Sequence, residues 1–149
     1  MQSFEGEQIF LLPPEQLWPK LRDAAFLARC IPDGTPHEGA THDKAVCTVR
    51  PGFSFMRGSI DVTIEVIGGQ DPASLKFSQK SRGIGSSSEV ETVLTLSPCE
   101  EGTKVAWRAE VKSLAGLFKM VPSGLIRAAA QKVIEDVWGG VASAIRNQG

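Results

Sequence analysis

Few residues in this 149-residue chain have the types and spacing that acid–base or metal chemistry needs. His37 and His42 share a polar stretch with Glu38 and Asp43, but two histidines without cysteine support are a weak metal motif. The sequence also lacks the G-x-S-x-G elbow that presents a nucleophilic serine. We therefore predict no catalytic residue, no metal site and no cofactor.

Two further chemical signals are also weak. The Gly83-Ile84-Gly85 run lies between predicted strands and not before a helix, so it lacks the helix N-terminus that would hold a phosphate. Glu89 and Glu91 fall on the polar face of one predicted strand. We interpret them as solubilising charges and not as an acid and base pair.

Gln79 and Thr92 are more informative, because each is polar on the otherwise apolar face of a predicted strand. An unpaired polar group in such a place costs roughly 1 to 3 kcal/mol. The two side chains either orient a ligand's carbonyl or hydroxyl, or bond each other or water. A third use, acid–base work on a pocket water, would make the protein a small cyclase or hydrolase.

The elements that must position these residues follow from hydrophobic periodicity. A first strand at Ser3 to Leu12 precedes two short helices, and a period of two then continues to about residue 113, with short turn-rich connections typical of antiparallel hairpins. After Gly116 the period becomes helical. One apolar row contains Val121, Leu125, Ala129, Val133, Val137, Val141 and Ile145, and a second row beside it contains Ile126, Ala130, Ile134 and Trp138.

This order predicts an α+β fold in which a curved antiparallel sheet of about seven strands wraps one long C-terminal helix. Residues 1–149 form a single domain. A sheet and helix that diverge at one end leave an apolar cavity, although ordinary core packing explains each candidate residue equally well. The predicted cavity residues are Phe10, Ile64, Phe77, Gln79, Thr92, Leu94, Trp107, Val121 and Leu125.

Two segments are candidates for a portal over that cavity. Cys30-Ile31-Pro32-Asp33-Gly34 interrupts the second short helix, and its simplest role is to end that helix. The run from Phe53 to Gly58, FSFMRG, combines two aromatic residues with a methionine, as a flexible portal loop would. Alternatively, this run is a hairpin whose apolar residues cap the core. The predicted portal residues are Ile31, Phe53, Phe55 and Met56.

Charge and cysteine content limit the partners. Sixteen basic against seventeen acidic residues give a net charge of −1, so the global charge does not favour nucleic acid. Three cysteines without a CxxC pair indicate a reduced, cytoplasmic chain. The sequence has neither a signal peptide nor a run of apolar residues long enough to span a membrane.

One local charge asymmetry is present between Lys104 and Lys132, where six basic residues face only Glu110. A solvated face is the ordinary explanation. Alternatively, Lys112, Lys119 and Arg127 form a surface for an acidic partner or for peripheral contact with an anionic membrane at its inner face.

Several segments in this order resemble the CoxG family, the G subunit of carbon monoxide dehydrogenase, in the START-like, helix-grip (SRPBCC) superfamily. They are the FxGxxxF start at Phe4 to Phe10, PPEQLWPKLRD, LARCIPD, RGSIDVTIEV, and GTKVAWRAEVKSLAGL leading into GLIRAAAQKVIEDVW. The resemblance covers residues from about 3 to 146. In that family the turn usually reads Cys-Ile-Pro-Gly, whereas here Asp33 precedes Gly34, so we expect altered turn geometry within an unchanged fold.

The resemblance implies a non-catalytic protein that holds an apolar small molecule, such as an isoprenoid quinone or a lipid. It also implies service to a molybdenum hydroxylase of the CO dehydrogenase type, by membrane recruitment or quinone delivery. A recruitment adaptor with a filled core remains an alternative. Some members carry a C-terminal extension that could anchor them, and since this sequence stops at Gly149 we expect no anchoring by its own tail.

Overall fold

The computed structural model describes residues 2–50 and 58–148, with the side chains of residues 147 and 148 left out. Seven strands and three α-helices are present in these ranges. They are β1 (Ser3–Phe10), α1 (Pro14–Leu21), α2 (Ala24–Arg29), β2 (Thr35–Pro36), β3 (Lys44–Val49), β4 (Ile60–Gln70), β5 (Ser74–Gly83), β6 (Ser86–Cys99), β7 (Gly102–Gly116) and α3 (Ser123–Gln148), with a short 3₁₀ helix at Leu117–Met120 before α3.

The strands form one antiparallel sheet in the order β1-β7-β6-β5-β4-β3-β2. Consecutive hairpins join β3 to β7, and β1 returns to pair with β7 at the far edge. Apolar residues alternate along the long strands, so the inner face carries the core and the outer face carries most of the charges. The predicted helix-grip architecture is confirmed.

The two short helices are separate because Asp23 ends one and begins the next. Its backbone is extended (φ −102°, ψ 105°), and its carboxylate accepts hydrogen bonds from the amides of Ala25 (3.0 Å) and Phe26 (3.3 Å). An aspartate cap of this kind satisfies N–H groups that have no partner within the helix. Leu17 and Leu21 of α1 are thereby directed into the core, where both are fully buried.

α3 packs on the inner face through its C-terminal half. Val141 and Ile145 are buried in the core, and Ile134, Val137 and Trp138 pack against them. Two other members of the first predicted row, Leu125 and Val133, are 52% and 46% exposed. The prediction that this row, with its strict four-residue spacing, forms the buried face of α3 is therefore wrong along its N-terminal half. Residues four apart drift around a helix that has 3.6 residues per turn, so such a row turns away from the sheet.

Candidate functional site

The inner face of the sheet is not uniformly covered. Register places Val62, Ser81 and Ser88 side by side on this face, with Gln79 and Val90 in the next row. All five side chains are partly buried. Their inner-face neighbours are fully packed, namely Ile64, Phe77, Leu94 and Val111. We call the partly buried set Val62, Gln79, Ser81, Ser88, Val90 and Thr92 the inner-face patch.

Polar side chains in the inner-face patch bond one another. Thr92 Oγ1 donates to Gln79 Oε1 at 3.1 Å, and the hydroxyls of Ser81 and Ser88 hydrogen bond to each other. These pairs explain how the apolar face tolerates four polar groups. They also leave spare capacity, since a glutamine amide carries two N–H donors beyond its accepting oxygen. The patch can therefore meet the polar end of an apolar ligand.

The N-terminal half of α3 is less buried than its C-terminal half. Ala130 and Ile134 are only partly buried there, although both pack against the core residues. The helix is held at β1 instead, where the Arg127 guanidinium stacks 4.7 Å from the Phe4 ring centroid and Arg127 Nη1 donates to the Ser3 carbonyl at 3.3 Å.

An aromatic group lies next to the inner-face patch, where Trp107 pairs with Leu94, two residues along β6 from Thr92. The Trp138 ring centroid lies 6.2 Å from that of Phe10 and 6.3 Å from that of Trp107. Gly6 makes room for this group, because a Cβ on Gly6 would lie 2.6 Å from Cζ2 of Trp107. The glycine of the FxGxxxF start therefore leaves the space into which the Trp107 indole packs.

The structure brings most of the predicted cavity residues together on the inner face. Phe10, Ile64, Phe77, Leu94 and Trp107 are buried, and Gln79 and Thr92 belong to the inner-face patch. Val121 lies between the 3₁₀ helix and α3 and is partly buried, whereas Leu125 is directed to solvent. Contact of any of them with a ligand stays a prediction.

The Cys30 to Gly34 turn packs against α3. The Cys30 carbonyl oxygen would lie 2.1 Å from a Cβ on Gly140, so only glycine permits this approach. Asp33 has a left-handed backbone with φ of 59°, a conformation that aspartate tolerates better than most residues. The expected change in turn geometry is thus small, because Asp33 takes the conformation for which glycine is the usual residue.

The portal prediction is only partly described. Ile31 is partly buried and packs against the core, while Phe53, Phe55 and Met56 lie outside the described residues. At the neighbouring β5–β6 turn, Ile84 has a positive φ of 55°, which is unusual for a β-branched residue. A Cβ on Gly58 would lie 3.4 Å from Cγ1 of Ile84, so this apolar side chain sits beside the glycine that ends the second portal segment.

Four of the six basic residues form ion pairs within the described part of the fold, and contact of Lys112, Lys119 and Arg127 with a partner or membrane stays a prediction. Lys112 Nζ bonds Glu110 Oε2 at 2.9 Å, which lowers the pKa of Glu110 and raises the pKa of Lys112. The sequence count missed carboxylates that β1 and α3 bring close. The other pairs are Lys104 with Glu7, Arg108 with Glu5 and Glu110, and Lys132 with Asp136. Lys119 is the one member of the six without an acidic or carbonyl partner among the described residues.

One pocket on the described surface, of about 330 Å³, is lined by residues from Glu38 to Val46. Another, of about 540 Å³, is lined mainly by outer-face residues such as His37, Asp61 and Arg82, and also by Ser81 and Ser88 of the inner-face patch. His37 Nε2 hydrogen bonds Thr48 Oγ1, which donates to Asp61 Oδ1 at 2.7 Å. Within residues 2–50 and 58–148, no cluster of three potential metal ligands occurs.

Sequence reasoning missed four residues of this region: Ser81, Ser88, Ile84 and Trp138. The two serines could have been predicted from the sequence. The alternation that placed Gln79 and Thr92 on the inner face also places Ser81 and Ser88 there. Trp138 was assigned to the second helical row without a contact. The strain at Ile84 had no sequence signal beyond its place between two glycines.

Solved structures with similar folds were found over nearly the whole chain. A conserved protein from Geobacillus kaustophilus has a TM-score of 0.78 at 21% identity, covering 97% of this chain and 93% of that one. A START superfamily protein from Mycobacterium smegmatis has a TM-score of 0.67 at 10% identity, covering 99% and 98%. The AHSA1 protein from Silicibacter pomeroyi has a TM-score of 0.62 at 13% identity, covering 99% and 100%. The fold is therefore START-like.

The family follows from the sequence itself. Residues 6–146 match the family of the carbon monoxide dehydrogenase G subunit (CoxG), so the chain belongs to that family. The comparison with curated proteins gave no match. In the part of the chain that the structure describes, no helix combines the length and apolarity that crossing a bilayer requires.

Proposed function

We propose that this protein binds an apolar small molecule, quinone-like or lipid-like, between the inner face of the sheet and α3. The single observation that carries the proposal is the inner-face patch. Gln79, Ser81, Ser88 and Thr92 are partly buried polar residues on a face whose other residues are mostly apolar and buried. A site of this composition suits a ligand with a large apolar body and few polar atoms.

Binding is favoured over catalysis by the chemistry of the inner-face patch. Its polar members carry hydroxyl or amide groups, which orient a ligand but do not titrate near neutral pH. The alternative of a cyclase or hydrolase would need a pocket water activated by the Gln79–Thr92 pair. The adaptor with a filled core is disfavoured by the partial exposure of Val62 and Val90, since a filled core would cover both.

The biological role that we propose is accessory to a molybdenum hydroxylase of the CO dehydrogenase type, in the cytoplasm and peripherally at the inner membrane face. The CoxG family membership supports the partner. The 3₁₀ helix supports the membrane contact, because Leu117 and Met120 are 46% and 79% exposed on either side of Lys119. An apolar tip that carries a cation suits shallow insertion between anionic lipids.

Ligand binding is tested by extracting the purified protein with organic solvent and analysing the extract by mass spectrometry. We expect a quinone or lipid in near-stoichiometric amount. Ala130→Trp should displace it, since Ala130 lies on the packed side of α3, whereas Val133→Trp on the exposed side should retain it. An empty extract, together with no binding of added quinone or lipid, would refute the ligand-binding proposal.

Membrane contact is tested with vesicles of neutral or phosphatidylserine-containing lipid. Met120→Glu should abolish binding to the anionic vesicles. Leu11→Glu is the matched control, because Leu11 is 77% exposed beside Gly102, at the other end of the sheet. Equal loss in both variants would contradict docking through the 3₁₀ helix. Copurification of hydroxylase subunits with the tagged protein tests the partner separately.

A further inference from the structure

The indole nitrogen of Trp107 is a buried hydrogen-bond donor without an acceptor. Trp107 is 7% exposed, and Nε1 has no partner among the described residues. The side chain lies on the inner face of β7, between Gly6 of β1 and the Trp138 ring of α3. Buried donors in native proteins are nearly always paired, so this one needs an explanation.

The position of the donor is fixed by the fold. A Cβ on Gly6 would lie 3.1 Å from Nε1, so the indole rests against the β1 backbone. That backbone is occupied by its own ladder with β7. Trp18 shows the usual solution, because its Nε1 donates to the Ser74 carbonyl at 2.8 Å. Trp107 cannot turn to such an acceptor without leaving the space that Gly6 provides.

The surroundings restrict what the missing acceptor can be. The indole has the Trp138 ring as a neighbour, the Phe10 ring lies on Trp138 in turn, and Leu94 is opposite Trp107 on β6. An acceptor brought here must therefore be attached to an apolar body that packs against rings. A carbonyl oxygen on a ring or an acyl chain meets this requirement, because it accepts a hydrogen bond and has no donor of its own.

We propose that the Trp107 N–H donates a hydrogen bond to a carbonyl-type oxygen of the bound molecule. Trp107 thereby selects oxygen-bearing ligands over hydrocarbons of the same shape. This assignment rests on the proposed function. It adds Nε1 of Trp107 as the protein atom that recognises the ligand's oxygen. The inner-face patch and the Trp107 N–H then supply separate polar contacts to one ligand.

The test measures affinities for two matched pairs of probes: duroquinone against durene, and methyl laurate against an alkane of the same length. Wild-type protein should bind the oxygenated member of at least one pair about three- to tenfold more tightly, the ratio expected for one hydrogen bond. Trp107→Phe keeps a ring but removes the donor, so the ratio should fall to about one. A preference within the quinone pair indicates a carbonyl on a ring, and a preference within the ester pair indicates a carbonyl on an acyl chain.

A second readout does not depend on the folding of the variant. The indole N–H resonance of Trp107, assigned by its loss in Trp107→Phe or by a nuclear Overhauser contact to Gly6, should move downfield with the oxygenated probe and not with the hydrocarbon. The Trp18 indole N–H is the internal control, since it already has a partner, and its resonance should not move.

The outcomes separate the two proposals. If both members of a pair bind, but the affinity ratio and the Trp107 resonance are the same for each, the assignment of Trp107 is wrong while the binding site stands. A ratio that survives in a folded Trp107→Phe variant leads to the same conclusion. If no probe binds the wild-type protein, the proposed function fails, and the role of Trp107 fails with it.

Discussion

Two adjacent glycines of α3 allow the contact between this helix and the Cys30 to Gly34 turn to be measured. Gly139 has open space around it, whereas a Cβ on Gly140 would lie 2.1 Å from the Cys30 carbonyl oxygen. Alanine at either position gains about 1 kcal/mol of helix propensity over glycine. The difference between the Gly139→Ala and Gly140→Ala variants therefore isolates the steric cost.

The magnitude of that cost follows from the distances. Real Cβ contacts essentially never fall below 3.0 Å, so α3 must move by about 0.9 Å, the difference between 3.0 and 2.1 Å. Such a shift disturbs Val141 and Ile145, which are 1% and 5% exposed. Overpacking of this kind costs roughly 1 to 3 kcal/mol. Gly139→Ala should be stabilised, and Gly140→Ala should be less stable than Gly139→Ala by about that amount.

Urea unfolding followed by tryptophan fluorescence, with thermal melts alongside, would measure both variants. For a chain of this size each kcal/mol corresponds to roughly 2 to 4 °C in melting temperature. Gly139→Ala should melt above the wild type and Gly140→Ala below Gly139→Ala. Equal unfolding free energies for the two variants would refute the reasoning, because the turn would then place no constraint on the helix.

Other predictions test the turn and the buried thiols. Asp33→Gly should be more stable than Asp33→Ala by about 1 kcal/mol, since only glycine accepts φ of 59° without strain; equal melting temperatures would contradict this. Ellman's reagent should modify the partly buried Cys99 in the native protein but Cys30 and Cys47 only on unfolding, and simultaneous labelling of all three would contradict their burial. Burial raises the pKa of Cys30 and Cys47 above the ordinary value of 9.0, so the folded state keeps protons that the unfolded state releases. Stability should be intact below about pH 9 and decline above it, and a Cys30→Ala, Cys47→Ala double variant that declined equally would exclude the thiols as the cause.

The fold was predictable because its signals are local and periodic. Alternation along Ile60 to Val66 and the helical period after Gly116 fixed the element types, and the short turn-rich connections indicated the hairpins. Strand order then has few solutions, since consecutive antiparallel strands pair with their neighbours. The pairing of β1 with β7 was not predicted, because a contact between distant strands has no periodic signal.

The site was predictable only in part, because contacts across the chain have no periodic signal. The pairing of Gln79 with Thr92 was one of two open alternatives, and only the register decides it. Ion pairs between strands were missed for the same reason, since Glu7 of β1 meets Lys104 of β7. The exposure of Leu125 depends on how α3 rotates over the sheet, which a row at fixed spacing does not specify.

The close contact at Gly140 gives α3 a fulcrum. Ser123 begins the helix 17 residues before Gly140, which at 1.5 Å per residue is a lever arm of about 25 Å. A tilt of about 5° at the fulcrum therefore moves the start of the helix by about 2 Å, while Val141 and Ile145 stay seated. Against this movement the far end has two weak ties, Arg127 to the Ser3 carbonyl and Gln2 to that of Ser123. The distance between the start of α3 and the sheet can thus change by a tilt of the whole helix, with no rearrangement of the core.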